Sequence, residues 1–216
     1  MKKLELDKKN QKSAINLAVR ILKNGGVIVY PTETAYGLGA DFFNPRAIKK
    51  VYRIKGRNFK KPLSVIVSSF VMAKRIVKFN QKSLQLARKY WPGALTLILN
   101  VEFRISNQNR ISNFEIKNSK LEIINYKTLG LRVSSNKLAM AIVRKFGRPI
   151  TATSANISGR GECYSAAEII NQFKNKKHQP DLLIDAGALP KRKVSTVIKV
   201  SNGKVEVLRK GAIKFK

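Results

Sequence analysis

The order of apolar and polar residues along this chain predicts alternating helices and strands. Ser13 to Asn24 carries apolar residues at helical spacing, and the Gly25-Gly26 pair that follows is typical of a helix end. Val27 to Tyr30 is short, apolar and rich in β-branched residues, which indicates an interior strand that ends at Pro31. The chain therefore opens with a helix followed by a buried strand.

Further elements follow from the same patterns. Asn44-Pro45 is a favourable helix entry, and Ser165 opens a capping box with Glu168. Asn202-Gly203 predicts a hairpin turn. Helices are predicted at Arg46–Ile54, Ser69–Phe79, Lys82–Tyr90, Asn136–Phe146 and after Ser165, and strands at Leu63–Val67, Ala94–Val101, Leu129–Ser134, Pro149–Thr153, Leu182–Asp185, Val194–Val200 and Val205–Leu208.

This alternation predicts one three-layer α/β domain over residues 1–216. The C-terminal hairpin favours a mixed sheet over a wholly parallel one. The stretch 102–126 is rich in Asn, Ser and Lys, and we interpret it as an irregular insertion. The length of 216 residues fits a single domain with a substantial core.

The chain is strongly basic, with 44 Lys and Arg against 12 Asp and Glu and a formal net charge of +32. Such a charge attracts polyanions, including RNA and nucleotide phosphates. The lysines are spread over helices, loops and termini alike, so a compositional origin competes with a functional one. The sequence contains no apolar run long enough to cross a bilayer and no signal-peptide core, which predicts a cytoplasmic protein without membrane contact.

Several kinds of site are excluded by residue counts and motifs. Cys163 is the only cysteine and His178 the only histidine, so the chain can form neither an internal disulfide, nor a zinc site of Cys and His ligands, nor a Ser-His-Asp triad. We interpret Cys163 as an incidental loop thiol. There is no Walker-type phosphate loop and no Gly-x-Gly-x-x-Gly after a strand. A nucleotide would therefore be held in another way.

The segment from Tyr30 to Gly39 places an unusual set of polar groups at a strand end. It reads Tyr-Pro-Thr-Glu-Thr-Ala-Tyr-Gly-Leu-Gly, with hydroxyls at Thr32 and Thr34 on either side of Glu33. This pattern indicates a small-molecule site, and the alternative is a turn in which the threonines bond only their own backbone. Glu33 has three candidate roles, which are to orient Mg²⁺, to orient a basic side chain or to face solvent.

Two further segments favour a site. Lys55-Gly56-Arg57, followed by Lys61, forms a cationic cluster before an apolar strand, and Ser154-Ala155-Asn156 follows another predicted strand. Together with the Tyr30 to Gly39 segment they resemble the YrdC family, whose pattern is Pro-Thr-x-Thr-x-Tyr-Gly-Leu-Gly, then Lys-x-Arg, then Ser-x-Asn. Trp91 to Thr96, Leu131 to Val133 and Ser195 to Val197 extend the resemblance, which runs from about Gly25 to Arg209.

The resemblance implies a fold and an activity. The fold is a YrdC-like, open, twisted mixed sheet in three layers with a basic concave cleft, in its single-domain form. The activity joins L-threonine, bicarbonate and ATP into L-threonylcarbamoyl-adenylate and pyrophosphate, for the threonylcarbamoyl-adenosine modification at position 37 of tRNA. Mg²⁺ is expected to arrive with ATP and to have no dedicated protein site. Candidate partners are tRNA and the proteins that transfer the threonylcarbamoyl group.

The resemblance also implies roles for individual residues. Lys55 and Arg57 would be catalytic through their grip on the phosphates, and Arg132 would hold the threonine carboxylate in a forked pair of hydrogen bonds. The expected threonine-binding residues are Thr34, Arg132, Ala152 and Ser195, and the expected ATP-binding residues are Lys55, Arg57, Lys61, Thr128, Ser154, Asn156 and Arg209.

The resemblance leaves some points open. An arginine such as Arg132 inside an apolar run needs an anionic partner, and a buried Asp or Glu competes with the substrate for that role. Ile66 stands where several longer relatives have a histidine. Two other functions compete with the enzyme: a non-catalytic protein that binds RNA or the ribosome, and a paralogue that uses another acyl or carbamoyl substrate.

Overall fold

The computed structural model describes residues 1–59, 61–101, 127–201 and 203–214. The predicted insertion at 102–126 and Asn202 of the predicted turn lie outside the described residues. The helices are α1 (Gln11–Lys23), α2 (Pro45–Lys55), α3 (Phe70–Lys74), α4 (Gln81–Tyr90), α5 (Lys137–Phe146) and α6 (Ala166–Phe173). The strands are β1 (Lys2–Glu5), β2 (Ile28–Tyr30), β3 (Gly37–Gly39), β4 (Val65–Ile66), β5 (Leu95–Asn100), β6 (Thr128–Arg132), β7 (Ile150–Thr151), β8 (Thr153–Ser154), β9 (Leu182–Asp185), β10 (Thr196–Ser201) and β11 (Lys204–Arg209).

The strands form two mixed sheets. The first has the order β1-β9-β2-β3-β8 and the second the order β11-β10-β5-β6-β4-β7. In the first, β9 runs parallel to both β1 and β2, whereas β3 is antiparallel to β2 and β8. In the second, β10 is parallel to β5 and antiparallel to β11. The mixed α/β architecture is confirmed, but its strands are divided between two sheets instead of one open sheet.

The two sheets meet at residues 150–154. We predicted one strand from Pro149 to Thr153, and the structure divides it at Ala152 into β7 of the second sheet and β8 of the first. Ala152 itself donates its backbone N–H to the Ser64 carbonyl at 2.7 Å. An isolated bridge between Asp41 and Ile150 adds a second connection. We call residues 150–154 the seam.

Local capping explains where the helices begin and end. The Asn44 side chain accepts hydrogen bonds from the first backbone amides of α2, and Gly56 ends that helix in the left-handed region with φ of 58°. Ser165 and Glu168 form the predicted capping box at the start of α6. No helix in the described part of the chain is long and apolar enough to cross a membrane.

Some elements differ from the predicted ones. Helix α3 ends at Lys74, well before Phe79, because Val77 bridges Val101 and Lys78 N–H bonds the Asn100 carbonyl beside β5. Strand β1 was not predicted, since its side chains are mostly exposed and show no apolar alternation.

Strand β3 consists of glycine, leucine and glycine, which we did not predict as a strand. Its glycines are required by the fully buried ring of Tyr30 on the neighbouring strand. A Cβ at Gly39 would lie 2.8 Å from Tyr30 Cε1 and 3.1 Å from Ile150 Cδ1. The glycines thus allow the aromatic ring to cover β3 at close range.

We expect Gly39→Ala to lower the free energy of unfolding by about 1–3 kcal/mol, because the added methyl group overpacks the Tyr30 contact. Urea unfolding measures the change. Gly161→Ala is the matched control, since no atom lies within 4 Å of a Cβ at Gly161. Equal stability of the two variants would contradict the packing account.

Candidate functional site

A cleft of about 270 Å³ lies against the seam, with walls from both sheets. Its charged lining residues in the described part of the chain are Arg57, Arg132, Arg209 and Glu162. The rest of the lining is mostly aromatic rings, hydroxyls and small side chains. It comprises Tyr30, Thr32, Thr34, Ala35, Tyr36, Gly37, Pro62, Leu63, Ser64, Thr96, Ala152, Thr153, Ser154, Val194, Ser195 and Val197.

Most of the residues expected to bind substrate meet in this cleft, although they come from separate parts of the sequence. Those that line it are Thr34, Arg57, Arg132, Ala152, Ser154, Ser195 and Arg209. Four expected residues are not in its lining, namely Lys55, Lys61, Thr128 and Asn156. Thr128 begins β6, four residues before Arg132, so its Cα lies roughly 13 Å away along the strand.

Thr32 stabilises the turn after β2. Thr32 Oγ1 accepts hydrogen bonds from the backbone N–H of Thr34 at 3.2 Å and of Ala35 at 3.3 Å, and it donates to the Ala35 carbonyl at 2.6 Å. Thr32 therefore bonds its own backbone, as the alternative interpretation of this segment as a turn predicted. Thr34 lines the cleft, with Oγ1 at 3.0 Å from Thr32 Oγ1. The backbone-bonded hydroxyl thus fixes the position of the second one.

Glu33 and Arg132 form a buried ion pair beside this turn. Arg132 Nη1 donates to Glu33 Oε1 at 3.0 Å, and the two side chains are 10% and 8% exposed, respectively, for the glutamate and the arginine. Ser134 Oγ donates to the other carboxylate oxygen. Of the three candidate roles for Glu33, the structure shows the orientation of a basic side chain.

Arg132 keeps part of its guanidinium group free. Its Nε and Nη2 atoms make no hydrogen bond with any residue that the structure describes, while the side chain lines the cleft. Arg132 therefore has both a buried acidic partner and unbonded donors on a side chain that lines the cleft. A guanidinium held at one nitrogen by a carboxylate can offer its remaining donors to a second anion in a fixed direction.

Two tyrosines support the same wall. The phenol O–H of Tyr30 donates a hydrogen bond to the Thr151 carbonyl at 3.0 Å, and burial raises the pKa of Tyr30. Tyr36 donates to the Gly187 carbonyl at 2.7 Å and accepts from Ala186 N–H at 2.9 Å, while burial raises its pKa to about 12. Both phenols are therefore neutral near pH 7 and act as structural ties.

Lys55 lies behind the cleft wall. It is 2% exposed, and its ammonium donates to the Ser154 carbonyl at 2.6 Å and to the carbonyl and Oδ1 of Asn156, both at 2.9 Å. Burial, with a smaller contribution from Arg57, lowers the pKa of Lys55 to about 8. The lysine thus uses all three donors to hold the segment from Ser154 to Asn156.

Arg57 differs from Lys55 because it reaches the cleft. Its Nη2 donates to the Pro62 carbonyl at 3.2 Å, whereas its buried Nε has no hydrogen-bond partner in the described structure. A buried donor without a partner costs about 1–3 kcal/mol, so its presence beside a cleft points to a ligand that accepts the bond.

On the opposite side, a chain of polar contacts runs from Arg209 to Thr96. Arg209 donates through Nε to the Ser195 carbonyl at 3.0 Å and through Nη2 to Ser195 Oγ at 2.9 Å. Ser195 Oγ lies 3.0 Å from Thr96 Oγ1. The pKa of Arg209 is lowered mainly by burial and also by the positive charge of Arg132.

Thr96 and Glu162 line the cleft but were not predicted as site residues. Thr96 ends the Trp-Pro-Gly segment that contributed to the family resemblance. Its membership of that segment could have indicated a role in the site. Glu162 lies in a stretch without a recognisable motif. Cys163 is buried and its pKa is raised to about 11 by burial, which agrees with an unreactive thiol.

Comparison with known proteins supports the resemblance. Residues 20–211 match the family model of the Sua5, YciO and YrdC proteins, which carries the description "Telomere recombination". The chain is 30% identical over 209 residues to threonylcarbamoyl-AMP synthase of Pyrococcus abyssi, covering 92% of this chain and 54% of that protein. A relative from Methanocaldococcus jannaschii is also 30% identical, over 97% of this chain and 91% of its own length.

Solved structures give the same relationship. P. abyssi Sua5 complexed with L-threonine superposes with a TM-score of 0.80 at 28% identity, over 97% of this chain and 57% of that one. E. coli YciO gives a TM-score of 0.77 at 28% identity, over 97% and 94% of the two chains. The chain thus spans little more than half of the P. abyssi protein and nearly all of the shorter relatives.

The Glu33–Arg132 pair should show strong energetic coupling. We expect Glu33→Gln or Arg132→Met alone to lower the free energy of unfolding by roughly 3 kcal/mol, because each leaves a buried polar partner uncompensated. The double variant should cost less than the sum. A double-mutant cycle by chemical denaturation measures the coupling.

Glu5→Gln provides a control for that cycle. Glu5 pairs with Lys3, but its side chain is 79% exposed, so we expect a change below about 1 kcal/mol. Additive effects of the Glu33 and Arg132 substitutions would show that the two side chains are not coupled.

The buried Lys55 should make stability depend on pH in a distinctive way. Its pKa is about 8 in the folded protein, against an ordinary lysine value of 10.5, so the folded protein binds fewer protons than the unfolded chain between these values. Stability should therefore rise with pH through that window. We expect the free-energy difference between wild type and Lys55→Met to move in favour of wild type from pH 8 to pH 10. A flat difference would contradict the lowered pKa.

Proposed function

The chain belongs to the Sua5, YciO and YrdC family, and from this premise we propose that it is a threonylcarbamoyl-AMP synthase. The threonine amine attacks the carbon of bicarbonate, water leaves, and a carbamate forms. A carbamate oxygen then attacks the α-phosphorus of ATP, and the bond to pyrophosphate breaks. The product is L-threonylcarbamoyl-adenylate, and no covalent bond to the protein is needed.

The observation that carries this proposal is the free edge of Arg132 in the cleft. Glu33 holds one end of the guanidinium, and the remaining donors match the two oxygens of an amino-acid carboxylate. Thr34 supplies a hydroxyl on the same wall, and the seam brings Ala152 beside it. The related P. abyssi Sua5 was solved with L-threonine, which supports threonine as the occupant.

The other cations of the cleft suit the nucleotide. We assign the phosphates to Arg57, whose buried Nε lacks a partner among the described residues, and to the Ser154 segment. Arg209 faces the nucleotide from the opposite wall. Lys55 contributes by holding Ser154 and Asn156 in place, so its part in catalysis is to position the segment that contacts the phosphates. Such groups act by alignment and charge neutralisation.

We propose that Mg²⁺ arrives as a companion of ATP. Among the described residues there is no cluster of three or more His, Cys, Asp or Glu side chains that could hold a metal ion. The carboxylate of Glu33 is engaged by Arg132 and Ser134, and Glu162 is the carboxylate in the described lining of the cleft that could contact a metal-bound water. When bound, Mg²⁺ would neutralise charge on the phosphate oxygens.

The product defines the biological role that we propose. Threonylcarbamoyl-adenylate is the activated donor for the threonylcarbamoyl-adenosine modification at position 37 of tRNA. We therefore assign the protein to the cytoplasm, with tRNA and the transfer proteins as partners. Bicarbonate is the third substrate, beside threonine and ATP.

Pyrophosphate release from ATP tests the reaction. With Mg²⁺, we expect release that requires both L-threonine and bicarbonate, together with threonylcarbamoyl-adenylate detected by mass spectrometry. Arg132→Ala should raise the KM for threonine about 10- to 100-fold, the loss of a charge-assisted hydrogen bond of about 1.5–3 kcal/mol, and should change the KM for ATP much less. Arg20→Ala, an exposed residue of α1, is the control and should match wild type.

The contrary outcomes identify the competing functions. ATP binding without threonine dependence would indicate a paralogue with a different acyl or carbamoyl substrate. Absence of adenylate, with salt-dependent tRNA binding that Arg57→Ala and Arg132→Ala leave unchanged, would indicate an RNA-binding protein.

A further inference from the structure

Strand β11 forms an outer edge of the second sheet. It pairs with β10 on one side, and no other strand in the described part of the chain pairs with its other side. All six of its residues are exposed to solvent. An unpaired edge presents a row of backbone N–H and C=O groups that can pair with a strand of another chain. The second sheet can therefore be extended at β11.

Exposed apolar side chains are concentrated on the same strand. Val205, Val207 and Leu208 are 37%, 42% and 49% exposed, and they make up half of the large apolar side chains that are exposed among the described residues. The strand also contains no proline, a residue that natural proteins use to prevent pairing at an edge. Apolar groups on an unpaired edge favour association with a further strand.

Only the first part of β11 is regular enough to pair again. Its pairing with β10 is continuous from Lys204 to Val207. The register then shifts, and Leu208 is the extra residue of a bulge before Arg209. Because a bulge bends the strand and interrupts its ladder, a partner strand on the outer side would be confined to the stretch before Leu208.

The charges of this regular stretch complement a second copy of the same strand. Two antiparallel copies related by a two-fold axis pair symmetrically about the residue on the axis. With Val205 on the axis, Lys204 faces Glu206 of the second copy on both sides of the axis. With Glu206 on the axis, two glutamates would face each other, and Leu208 of the bulge would have to pair. The register about Val205 is therefore the favourable one.

The net charge of +32 opposes the association of two copies. Its reach is limited by a Debye length of about 8 Å at physiological ionic strength, whereas side chains paired across neighbouring strands are about 5 Å apart. An extended acidic peptide would suit the net charge, but Glu206 would face its carboxylates in the middle of the edge. A second copy is the partner whose charges match this edge residue by residue.

We propose that β11 is a dimerisation edge at which two copies of the chain pair antiparallel about Val205 and join their second sheets. Arg209, the residue of β11 that lines the cleft, lies outside the paired stretch. The interface is small, and specific interfaces below about 1,200 Å² of buried surface are weak. We therefore expect a reversible dimer with a Kd of about 10–100 μM.

Sedimentation velocity of the full chain over a range of concentrations that spans this Kd tests the charge pairing. Glu206→Lys replaces both Lys–Glu pairs by Lys–Lys pairs, and we expect it to raise the Kd about 10-fold or more. The double variant Lys204→Glu with Glu206→Lys exchanges the two charges and should restore the wild-type Kd.

Glu5→Lys is the matched control for Glu206→Lys. It changes the net charge by the same amount, but Glu5 is 79% exposed on β1 of the other sheet. It should leave the Kd close to the wild-type value. A thermal melt of each variant separates loss of fold from loss of association.

Disulfide formation tests the register independently of the charges. In Val205→Cys the two new thiols lie opposite each other at the axis, so mild oxidation should give a covalent dimer on a non-reducing gel. In Val207→Cys they lie roughly 13 Å apart along the strands, and no covalent dimer is expected. Cys163 is buried and does not compete.

Three results would overturn the proposal. The first is a monomer at every concentration, with no covalent dimer from Val205→Cys. The second is a dimer that Glu206→Lys and Glu5→Lys affect equally, or one that Val207→Cys captures better than Val205→Cys. The third is a monomer in which the outward amides of β11 are protected from hydrogen exchange, which would show that another segment of the same chain occupies the edge. If Glu206→Lys misfolds, the two cysteine variants decide the question.

Discussion

The buried ion pair between Glu33 and Arg132 is the interaction on which the site depends. Glu33 belongs to the turn between β2 and β3 of the first sheet, and Arg132 ends β6 of the second, so the pair links the two sheets. Two charges that are nearly out of solvent are costly unless each finds its partner. The turn is therefore held where Thr34 faces the same space as the free edge of the guanidinium.

The basic groups of the site fall into two kinds. Lys55 is fully occupied by backbone and amide oxygens, and its charge organises the segment from Ser154 to Asn156. The arginines at positions 57, 132 and 209 are each anchored by one or two bonds and keep at least one nitrogen free of bonds to the described residues. Lys55 therefore has a structural role. The arginines are suited to bind anions, because the planar guanidinium group can donate hydrogen bonds to two partners at once.

Local signals in the sequence predicted most elements well. Strand β9 has the predicted bounds, and the Ser165 capping box and the Gly25-Gly26 pair after α1 mark real helix ends, because these features depend on neighbouring residues alone. The division of the seam at Ala152 was not predictable, since it depends on which sheet each half joins. The partner of Arg132 could not be predicted either, because Glu33 is 99 positions away in the sequence and only the fold brings the two together. Lys55 could not be distinguished from a phosphate ligand because its main acceptors are backbone carbonyls, which every residue carries.

The seam also determines how the cleft behaves as the protein fluctuates. Residues 150–154 belong to β7 and β8 in turn, and the ladders that contain them lie in different sheets. To open the cleft by separating the sheets, the chain would have to break ladder hydrogen bonds on both sides of Ala152 and expose the core of each sheet. Such an opening costs more than the local opening of a surface loop, which breaks few buried contacts. The amide hydrogens of the seam are thus expected to exchange together with those of the core.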